Sequence, residues 1–383
     1  MSCDVFVFAG EKSGDLHGEK LLQGLYAKNP QLKIAGVGGR GMRAQGMQCV
    51  LPMEEFQVMG FIDVFLALPK LIRQFHFVAR KIQELQPRAV ILIDYPGFNL
   101  RLAKHLRKKR YAGKLVHFIC PSVWAWGKKR IPSMGKTLDL LLSILPFEKR
   151  LFAQTPLKVA YVGHPLVERI NRYPYKPFSD GKLIALFPGS RKKEIERNFP
   201  LYLDACRELL RQHPDLKIAL SVSDEQYRPL LLEIVQSKQW QEDEILWVPS
   251  DHTYELMKKA YLAIAKSGTV TLELALHRVP TVVTYGVSFL DKIIAYDILR
   301  IRLPFYCLVN IIAGKEVFAE LIGPKLTLES LNKKLHALTE EPMRKTTQHE
   351  CDLLIDQLGN KDAASTAAEE ILQTIAGNHS WIV

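Results

Sequence analysis

Short apolar runs recur along the first half of the chain, and segments of helical period lie between most of them. Runs of this length, bounded by turn residues, are typical of buried strands. Six of them lie at 5–9, 33–37, 89–93, 115–119, 140–144 and 159–162. Because strands alternate with helices, the pattern predicts an α/β domain with a doubly wound parallel sheet.

A second series of the same kind follows residues 171–181, a proline-containing segment typical of a linker. Its apolar runs lie at 183–187, 217–222, 245–248, 262–265 and 281–285. We therefore predict two Rossmann-like domains, 1–170 and 181–326, that face a cleft. Residues 327–383 are predicted to form helices only, and these helices are expected to pack on either domain or on a partner subunit. Ligands of such sheets bind at the carboxyl ends of the strands, so the loops there are the candidates for chemistry.

The charge is unevenly distributed along the chain. Of the 52 basic and 40 acidic residues, 28 and 12 lie in residues 1–176, so this part carries +16 and the remainder −4 of the total +12. The basic half indicates a negative partner, which is nucleic acid, anionic lipid or a phosphorylated substrate. Apolar residues at 48% and charged residues at 24% are typical of a globular protein.

Several classes of protein find no support in the sequence. No apolar run is long enough for a membrane-spanning helix, and the first residues predict a strand instead of a signal peptide. The six cysteines lack metal-binding or disulfide spacing, which favours a reducing cytoplasm. The motifs of P-loop nucleotidases, elbow-type serine hydrolases and zincins are missing. Residues 36–41 match G-x-G-x-x-G, but the segment behind them is too short and polar for a dinucleotide-binding helix.

Two predicted strand ends in the first half carry carboxylates. Glu11 follows the first strand, in a turn where Ser13 or Asp15 can cap the next helix. Asp94 follows the run 89–93, and a carboxylate there can accept a proton from a substrate hydroxyl. The alternatives are a simple capped turn at Glu11 and an aspartate that only organises its turn at Asp94.

Two turns in the second half are typical of phosphate sites. In the segment 187–191, serine and backbone N–H groups lie beside an arginine. In the segment 266–273, a small hydroxylic turn opens a helix and ends on Glu273, within reach of a ribose. The alternative is an ordinary helix cap with Glu273 on the surface. Two such turns in one half favour a nucleotide diphosphate.

Two further segments combine apolar or aromatic residues with cations. Trp124 and Trp126 precede three cations and either stack on a base or sugar or form a core pair. Apolar residues at helical spacing over 61–82 lie among cations, with Pro69 predicted to break or kink the helix. That stripe is either a buried helix with a solvated basic face or an interfacial segment on anionic lipid.

Nine segments in this order resemble the lipid-A-disaccharide synthase family. They are AGEKSGD (9–15), MGFIDV (59–64), IDYPGFNL (93–100), PSVWAWGKKRI (121–131), ILPFE (144–148), VGHPL (162–166), FPGSRKKEI (187–195), KSGTVTLE (266–273) and NIIAGKEVFAELIG (310–323). The sequence departs from the usual pattern at Gly97, where an aspartate is usual, and at Cys120 and Val309. The first departure leaves Asp94 as the only candidate base in its motif.

The resemblance implies an inverting glycosyltransferase of the GT-B fold. The implied reaction joins UDP-2,3-diacylglucosamine to 2,3-diacylglucosamine 1-phosphate, which gives a β-1,6-linked disaccharide 1-phosphate and UDP. Asp94 is the implied base, assisted by Glu11. The implied UDP-sugar site comprises Gly189, Ser190, Arg191, Ser267, Gly268, Thr269, Glu273 and Asn310. The acceptor-facing or membrane-facing residues are expected to be Ser13, Met59, Phe61, Phe65, Leu68, Lys70, Leu71, Arg73, Trp124 and Trp126.

The resemblance also sets expectations about partners. Neither a metal nor a cofactor is expected, and nor is nucleic acid. The protein is expected in the cytoplasm, peripheral on the anionic inner face of the cytoplasmic membrane, and a homodimer is compatible with the resemblance. Two alternatives stay open: another UDP-sugar GT-B enzyme, such as the lipid II glucosaminyltransferase or a UDP-sugar epimerase, and a basic RNA-binding module without enzymatic activity.

Overall fold

The computed structural model describes residues 3–56, 61–179, 181–286 and 303–377, without the side chains of residues 61–67 and 126. The chain forms two compact units. The first contains Met1–Glu168 together with Asn360–Val383, and the second contains Arg169–Gly359. The segment predicted as a helical tail is therefore divided, because its last part belongs to the first unit.

Each unit has a parallel sheet, with strand order β3-β2-β1-β4-β5-β6-β7 in the first and β10-β9-β8-β11-β12-β13 in the second. The strands of the first sheet are β1 Val5–Ala9, β2 Ile34–Gly38, β3 Gln48–Pro52, β4 Ala89–Ile93, β5 Lys114–Phe118, β6 Leu140–Ser143 and β7 Lys158–Tyr161. Those of the second are β8 Lys182–Phe187, β9 Leu216–Val222, β10 Ile245–Pro249, β11 Ala260–Lys266, β12 Thr281–Tyr285 and β13 Ala319–Ile322.

The α-helices of the described chain connect and cover these strands. Those up to residue 171 are α1 Lys12–Lys28, α2 Arg40–Ala44, α3 Phe61–Leu85, α4 Pro96–Lys108, α5 Ile131–Thr137, α6 Glu148–Leu151 and α7 Pro165–Asn171. They are followed by α8 Lys192–Gln212, α9 Arg228–Ser237, α10 Thr253–Lys259, α11 Thr269–Leu276, α12 Leu308–Ala313, α13 Leu328–Thr339, α14 Glu341–Leu358 and α15 Ala363–Ala376.

The central strands are buried on both faces, which explains their continuous apolar sequence. Every residue of β1 and β4 is buried. The alanine-rich α15 packs on α1, where Gly24 makes the close approach possible. A Cβ on Gly24 would lie 3.0 Å from the carbonyl oxygen of Ala364. Small side chains on both helices therefore return the end of the chain to the first unit.

Two elements differ from the sequence-based prediction. The helix predicted to break or kink at Pro69 does not break there, since it is continuous from Phe61 to Leu85. Its second half is anchored by Val78, Ala79 and Ile82, which are buried in the core, and this packing offsets the one hydrogen bond that a proline removes. Strands β3 and β13 were not predicted, because both have partly exposed residues and no apolar run.

The topology of each sheet singles out one place for a ligand. Strand order reverses between β1 and β4 in the first sheet and between β8 and β11 in the second. The crevice at such a switch point is where doubly wound sheets bind their ligands. In register, Ala9 pairs with Ile93 and Phe187 pairs with Ala265. The residues that follow these four therefore leave each sheet side by side.

Candidate active site

The switch point of the first unit brings together the two carboxylates predicted from the sequence. Glu11 is the N-cap residue of α1, and Asp94 follows β4 directly. Burial raises the pKa of the Glu11 carboxyl, and the charge of Asp94 raises it further. Burial also raises the pKa of Asp94, although hydrogen bonds from the Tyr95 N–H and the Ser13 hydroxyl oppose the shift. A carboxylate with a raised pKa is a stronger proton acceptor.

The turn that carries Asp94 has a strained backbone, and hydrogen bonds from the Asn99 side chain stabilise it. Asp94 and Tyr95 both have left-handed backbone angles, with φ of 48° and 43°, which costs of order 1–3 kcal/mol per residue. The buried amide of Asn99 donates to the carbonyls of Ile93 at 3.1 Å and Asp94 at 2.6 Å. Those bonds contribute about 1 kcal/mol each. Asn99 therefore positions the candidate base, and this role was not predicted from the sequence.

Aromatic rings form the wall beside Asp94. The rings of Phe8 and Phe98 stack with centroids 4.7 Å apart, and Tyr95 stacks on Phe98 at 6.0 Å. A Cβ on Gly10 would lie 2.8 Å from the Tyr95 ring, so a larger residue there would force this ring to move. At Gly97 a Cβ would meet nothing within 4 Å, so the departure from the family pattern at this position leaves open space.

The G-x-G-x-x-G segment of the first unit binds one of the protein's own side chains. The Asp15 carboxylate accepts the N–H groups of Gly39 at 2.7 Å, Gly41 at 3.0 Å and Met42 at 3.2 Å. The N–H groups that a dinucleotide phosphate would need are therefore already occupied by an internal anion.

The switch point of the second unit contains a cavity of about 630 Å³. Six of the eight predicted UDP-sugar residues line it, namely Gly189, Ser190, Ser267, Gly268, Thr269 and Glu273. Arg169, Tyr254 and Lys266 also line it, and none of the three was predicted from the sequence as a binding residue. Lys266 is the last residue of β11, so its position directly before the Ser-Gly-Thr turn was the available signal.

Glu194 occupies the phosphate-type donors of this cavity. Its carboxylate accepts the Ser190 N–H at 3.1 Å, the Arg191 guanidinium at 3.2 Å and the Lys266 ammonium at 3.0 Å. Burial alone would raise the pKa of Glu194, but Lys266 above all, with the Ser190 N–H and Arg191, lowers it. Gly189 has a φ of 133°, and a Cβ there would lie 2.6 Å from the Glu194 Cβ, so glycine is required at this turn.

Glu273 lies at the cavity in a different environment. The Tyr254 hydroxyl donates to its carboxylate at 2.8 Å. Burial raises the pKa of Glu273, whereas the Tyr254 hydrogen bond and the charge of Arg169 oppose the shift. A buried carboxylate with one oxygen bonded in this way retains acceptor capacity for ligand hydroxyls.

Two predicted donor-binding residues do not line this cavity. The Arg191 side chain is 79% exposed and bonds to Glu194, which itself lines the cavity. Asn310 is fully buried. Its amide donates to the Phe318 carbonyl at 2.7 Å and to Glu320 at 2.9 Å, and its oxygen accepts the N–H groups of Val317 and Phe318. Asn310 therefore organises the connection between α12 and β13.

The predicted membrane-facing segment is partly described. Met59 lies outside the described residues, as do the side chains of Phe61 and Phe65. Leu68 is 48% exposed, and Lys70 pairs with Glu55 at 2.7 Å. Arg73 is exposed, whereas Leu71 is half-buried against the core. None of the helices in the described part of the chain is long and apolar enough to cross a bilayer.

Trp124 packs within the first unit. Its ring lies edge-on to Phe147, with centroids 6.0 Å apart, and its indole bonds to the carboxylate of Glu148. Burial raises the pKa of Glu148 to about 7, against the opposing effect of the Ser143 hydroxyl and other donors. The side chain of Trp126 lies outside the described residues.

The fold and these two switch points define a class of protein. Two Rossmann-type parallel sheets, each with its ligand site at a switch point, are the architecture of the GT-B fold. Solved structures with a similar fold include a glycosyltransferase and UDP-sugar epimerases. A UDP-GlcNAc 2-epimerase from Neisseria meningitidis bound to UDP-GlcNAc matches with a TM-score of 0.58 at 10% identity, over 98% of this chain and 99% of its own. At this identity the likeness shows the fold alone.

Sequence comparison identifies the family within this class. The family model described as lipid-A-disaccharide synthetase matches residues 5–375. The chain belongs to this family. A lipid-A-disaccharide synthase from Chlamydia trachomatis is 43% identical over 331 residues, which cover 84% of this chain and 54% of the relative. One from Pseudomonas aeruginosa is 34% identical over 382 residues, covering 97% and 98%. The chain thus spans about half the length of the chlamydial relative.

Proposed function

We propose that the chain transfers 2,3-diacylglucosamine from UDP to 2,3-diacylglucosamine 1-phosphate with inversion. The products are a β-1,6-linked disaccharide 1-phosphate and UDP. Family membership supports this reaction, and the observation that carries it is the pair of carboxylates with raised pKa values at the β1/β4 switch point. The reaction needs a group there that can remove a proton from a hydroxyl.

Asp94 acts as the base in this proposal. It removes the proton from the 6-hydroxyl of the acceptor, whose oxygen attacks the anomeric carbon of the donor while the bond to UDP breaks. Asn99 donates to the backbone carbonyl of Asp94, and the Ser13 hydroxyl donates to its carboxylate, so the two together fix the position of the base. Glu11 assists by orienting the hydroxyl, since its own raised pKa makes it a second acceptor nearby.

The second unit binds the donor in this proposal. Lys266, Arg191 and the Ser190 N–H are the donors that would stabilise the charge of departing UDP, once its phosphates take them from Glu194. The Ser267–Gly268–Thr269 turn adds donors at the start of α11, and Glu273 accepts from the ribose hydroxyls. In this proposal these residues, and not a metal ion, stabilise the negative charge of the leaving group.

The direct test is an assay with radiolabelled acceptor and the UDP-linked donor, followed by product analysis. The proposal requires a disaccharide 1-phosphate that depends on both substrates. Absence of this product with fully folded protein, or epimerisation of the donor sugar instead, would contradict it. A filter-binding assay with RNA tests the remaining alternative, because a basic RNA-binding module would retain RNA at moderate salt.

We also propose that the basic first unit docks on the anionic inner face of the cytoplasmic membrane. Exposed Leu68 and Ile72 lie on α3 among the cations Arg73 and Arg80, a combination that suits a lipid interface. Flotation with vesicles tests this proposal. Binding should require anionic lipid and fall as salt rises, and binding indifferent to both would exclude it.

A further inference from the structure

The first unit contains a cavity of about 310 Å³ to which the proposed function assigns no role. One side is formed by the beginning of α4, and the other by α5 and the short 3-10 helix Lys128–Arg130 that precedes it. Four cations and two hydroxyl-bearing residues line it, namely Arg101, Lys104, Lys129, Arg130, Ser133 and Thr137. No carboxylate is among the described residues that line this cavity.

Three of these cations differ from Arg107 in having no acidic partner among the described residues. Arg107, also on α4, forms an ion pair with Asp139. Within the described part of the chain, Arg101, Lys104 and Lys129 form no ion pair. Several positive charges around one cavity repel each other unless an anion binds there. A dianionic phosphate group can accept hydrogen bonds from several such cations at the same time.

The cavity begins at the turn that carries the candidate base. Its lining includes Pro96 and Gly97, which follow Asp94 by two and three residues. Arg101 lies five residues beyond Pro96, about 7.5 Å along the helix axis at 1.5 Å per residue. A sugar that places one hydroxyl at Asp94 can therefore extend along α4 and place a substituent from the far side of its ring among the cations.

We infer that this cavity binds a phosphomonoester, the 1-phosphate of the acceptor sugar whose hydroxyl reaches Asp94. This inference rests on the proposed function and adds a subsite to it. Recognition of the phosphate orients the acceptor, so that its 6-hydroxyl and not another hydroxyl is presented to the base. Arg101 and Lys104 supply the charge from one helix face, and Lys129 supplies it from the opposite side.

The test compares two double variants with the same change in charge on the same helix. Arg101→Gln with Lys104→Gln removes two cations from the cavity. Lys108→Gln with Lys109→Gln removes two exposed cations beyond it, at the end of α4. Binding of α-glucosamine 1-phosphate, a soluble probe without acyl chains, is followed by NMR on the whole chain, with glucosamine as the probe that lacks phosphate. Circular dichroism confirms that both variants are folded.

The inference predicts that the Arg101/Lys104 variant loses about tenfold or more in affinity for glucosamine 1-phosphate, since each charge-assisted contact is a strong one. The Lys108/Lys109 variant should bind this probe like the wild type. Equal affinity in all three proteins would overturn the inference. The two double variants are also compared in the vesicle flotation assay. Weaker binding to anionic vesicles in the Arg101/Lys104 variant, with unchanged affinity for glucosamine 1-phosphate, would overturn the inference, because the source of the phosphate would then be the membrane. The turnover assay of the wild type tests the proposed function separately from this binding measurement.

Discussion

The two units build their switch points with the same topology and fill them with opposite chemistry. In the first unit, β1 and β4 end beside each other and deliver two carboxylates, Glu11 and Asp94, whose pKa values are raised. In the second unit, β8 and β11 end in the same relation and deliver the Ser190 N–H and Lys266. Both donate to Glu194, whose pKa is lowered.

The common topology therefore determines where each ligand site lies, whereas the loop residues determine the chemistry of that site. A carboxylate that holds its proton more tightly suits proton removal from a hydroxyl. A cluster of donors that keeps a carboxylate charged suits the charge of a departing diphosphate. The predictions below test whether acceptor activation and donor binding are divided between the two switch points in this way.

The largest effect is expected at the first switch point. Asp94→Asn keeps the shape of the side chain and removes its basicity, so turnover should fall by about 10²–10⁴-fold, the usual contribution of a general base. UDP affinity should stay unchanged. Radiometric turnover and calorimetric UDP titration measure the two quantities. Glu84→Gln, an exposed carboxylate on α3, serves as the control, and near-normal turnover of Asp94→Asn would remove Asp94 from the role of base.

A smaller effect is expected at the second switch point. Lys266→Gln removes a charged donor that is only 16% exposed, so UDP affinity should fall by about tenfold to a hundredfold, as for a lost hydrogen bond to a charged group. Lys217→Gln, an exposed lysine at the opposite end of the sheet in β9, should bind UDP normally. Calorimetry on both variants decides, and an unaffected Lys266→Gln would show that the cavity binds phosphate elsewhere.

A third variant should strengthen ligand binding. Glu194→Gln removes the negative charge with which a diphosphate competes for Lys266, Arg191 and the Ser190 N–H. UDP affinity should therefore rise severalfold, on the scale of about 1 kcal/mol. Glu196→Gln on the same helix, which pairs only with Lys192 among the described residues, is the matched control. Weaker UDP binding in Glu194→Gln would mean that Glu194 organises the turn and does not compete with the ligand.

The smallest effect concerns pH. The base must be unprotonated, so activity is lost as pH falls through the pKa of Asp94. The Ser13 hydroxyl stabilises the charged form of Asp94, and its loss in Ser13→Ala should raise this pKa further. The acid limb of kcat/KM should then move to higher pH. Ser237→Ala, whose hydroxyl bonds to the Ile234 carbonyl in the second unit, should leave the limb in place, and a limb that moves to lower pH in Ser13→Ala would contradict the account.

The sequence predicted the central parts of both units for a physical reason. Strands buried on both faces must be continuously apolar, so β1, β4 and β12 were predicted with the bounds that the structure has. The fold class was confirmed for the same reason. The strands β3 and β13 contain polar, partly exposed residues and no continuous apolar run, which is why neither was predicted.

The candidate site shows more clearly which residue roles could not be predicted from the sequence. Motif positions identified Glu11, Asp94 and the two phosphate-type turns, because such residues stand out at strand ends. Lys266 was taken as part of its motif without a role, and Asn99 acts through backbone carbonyls that only a folded turn brings within its reach. Asn310 was predicted to contact a ligand from its position in a motif. In the structure its side-chain amide instead bonds to backbone groups of the loop that follows it.

The division of labour between the two switch points is tested most directly by one paired titration. UDP affinity is measured by calorimetry for Asp94→Asn and Lys266→Gln under identical conditions. The account predicts wild-type affinity for Asp94→Asn and about tenfold or greater weakening for Lys266→Gln. Weakened UDP binding in Asp94→Asn together with normal binding in Lys266→Gln would contradict it.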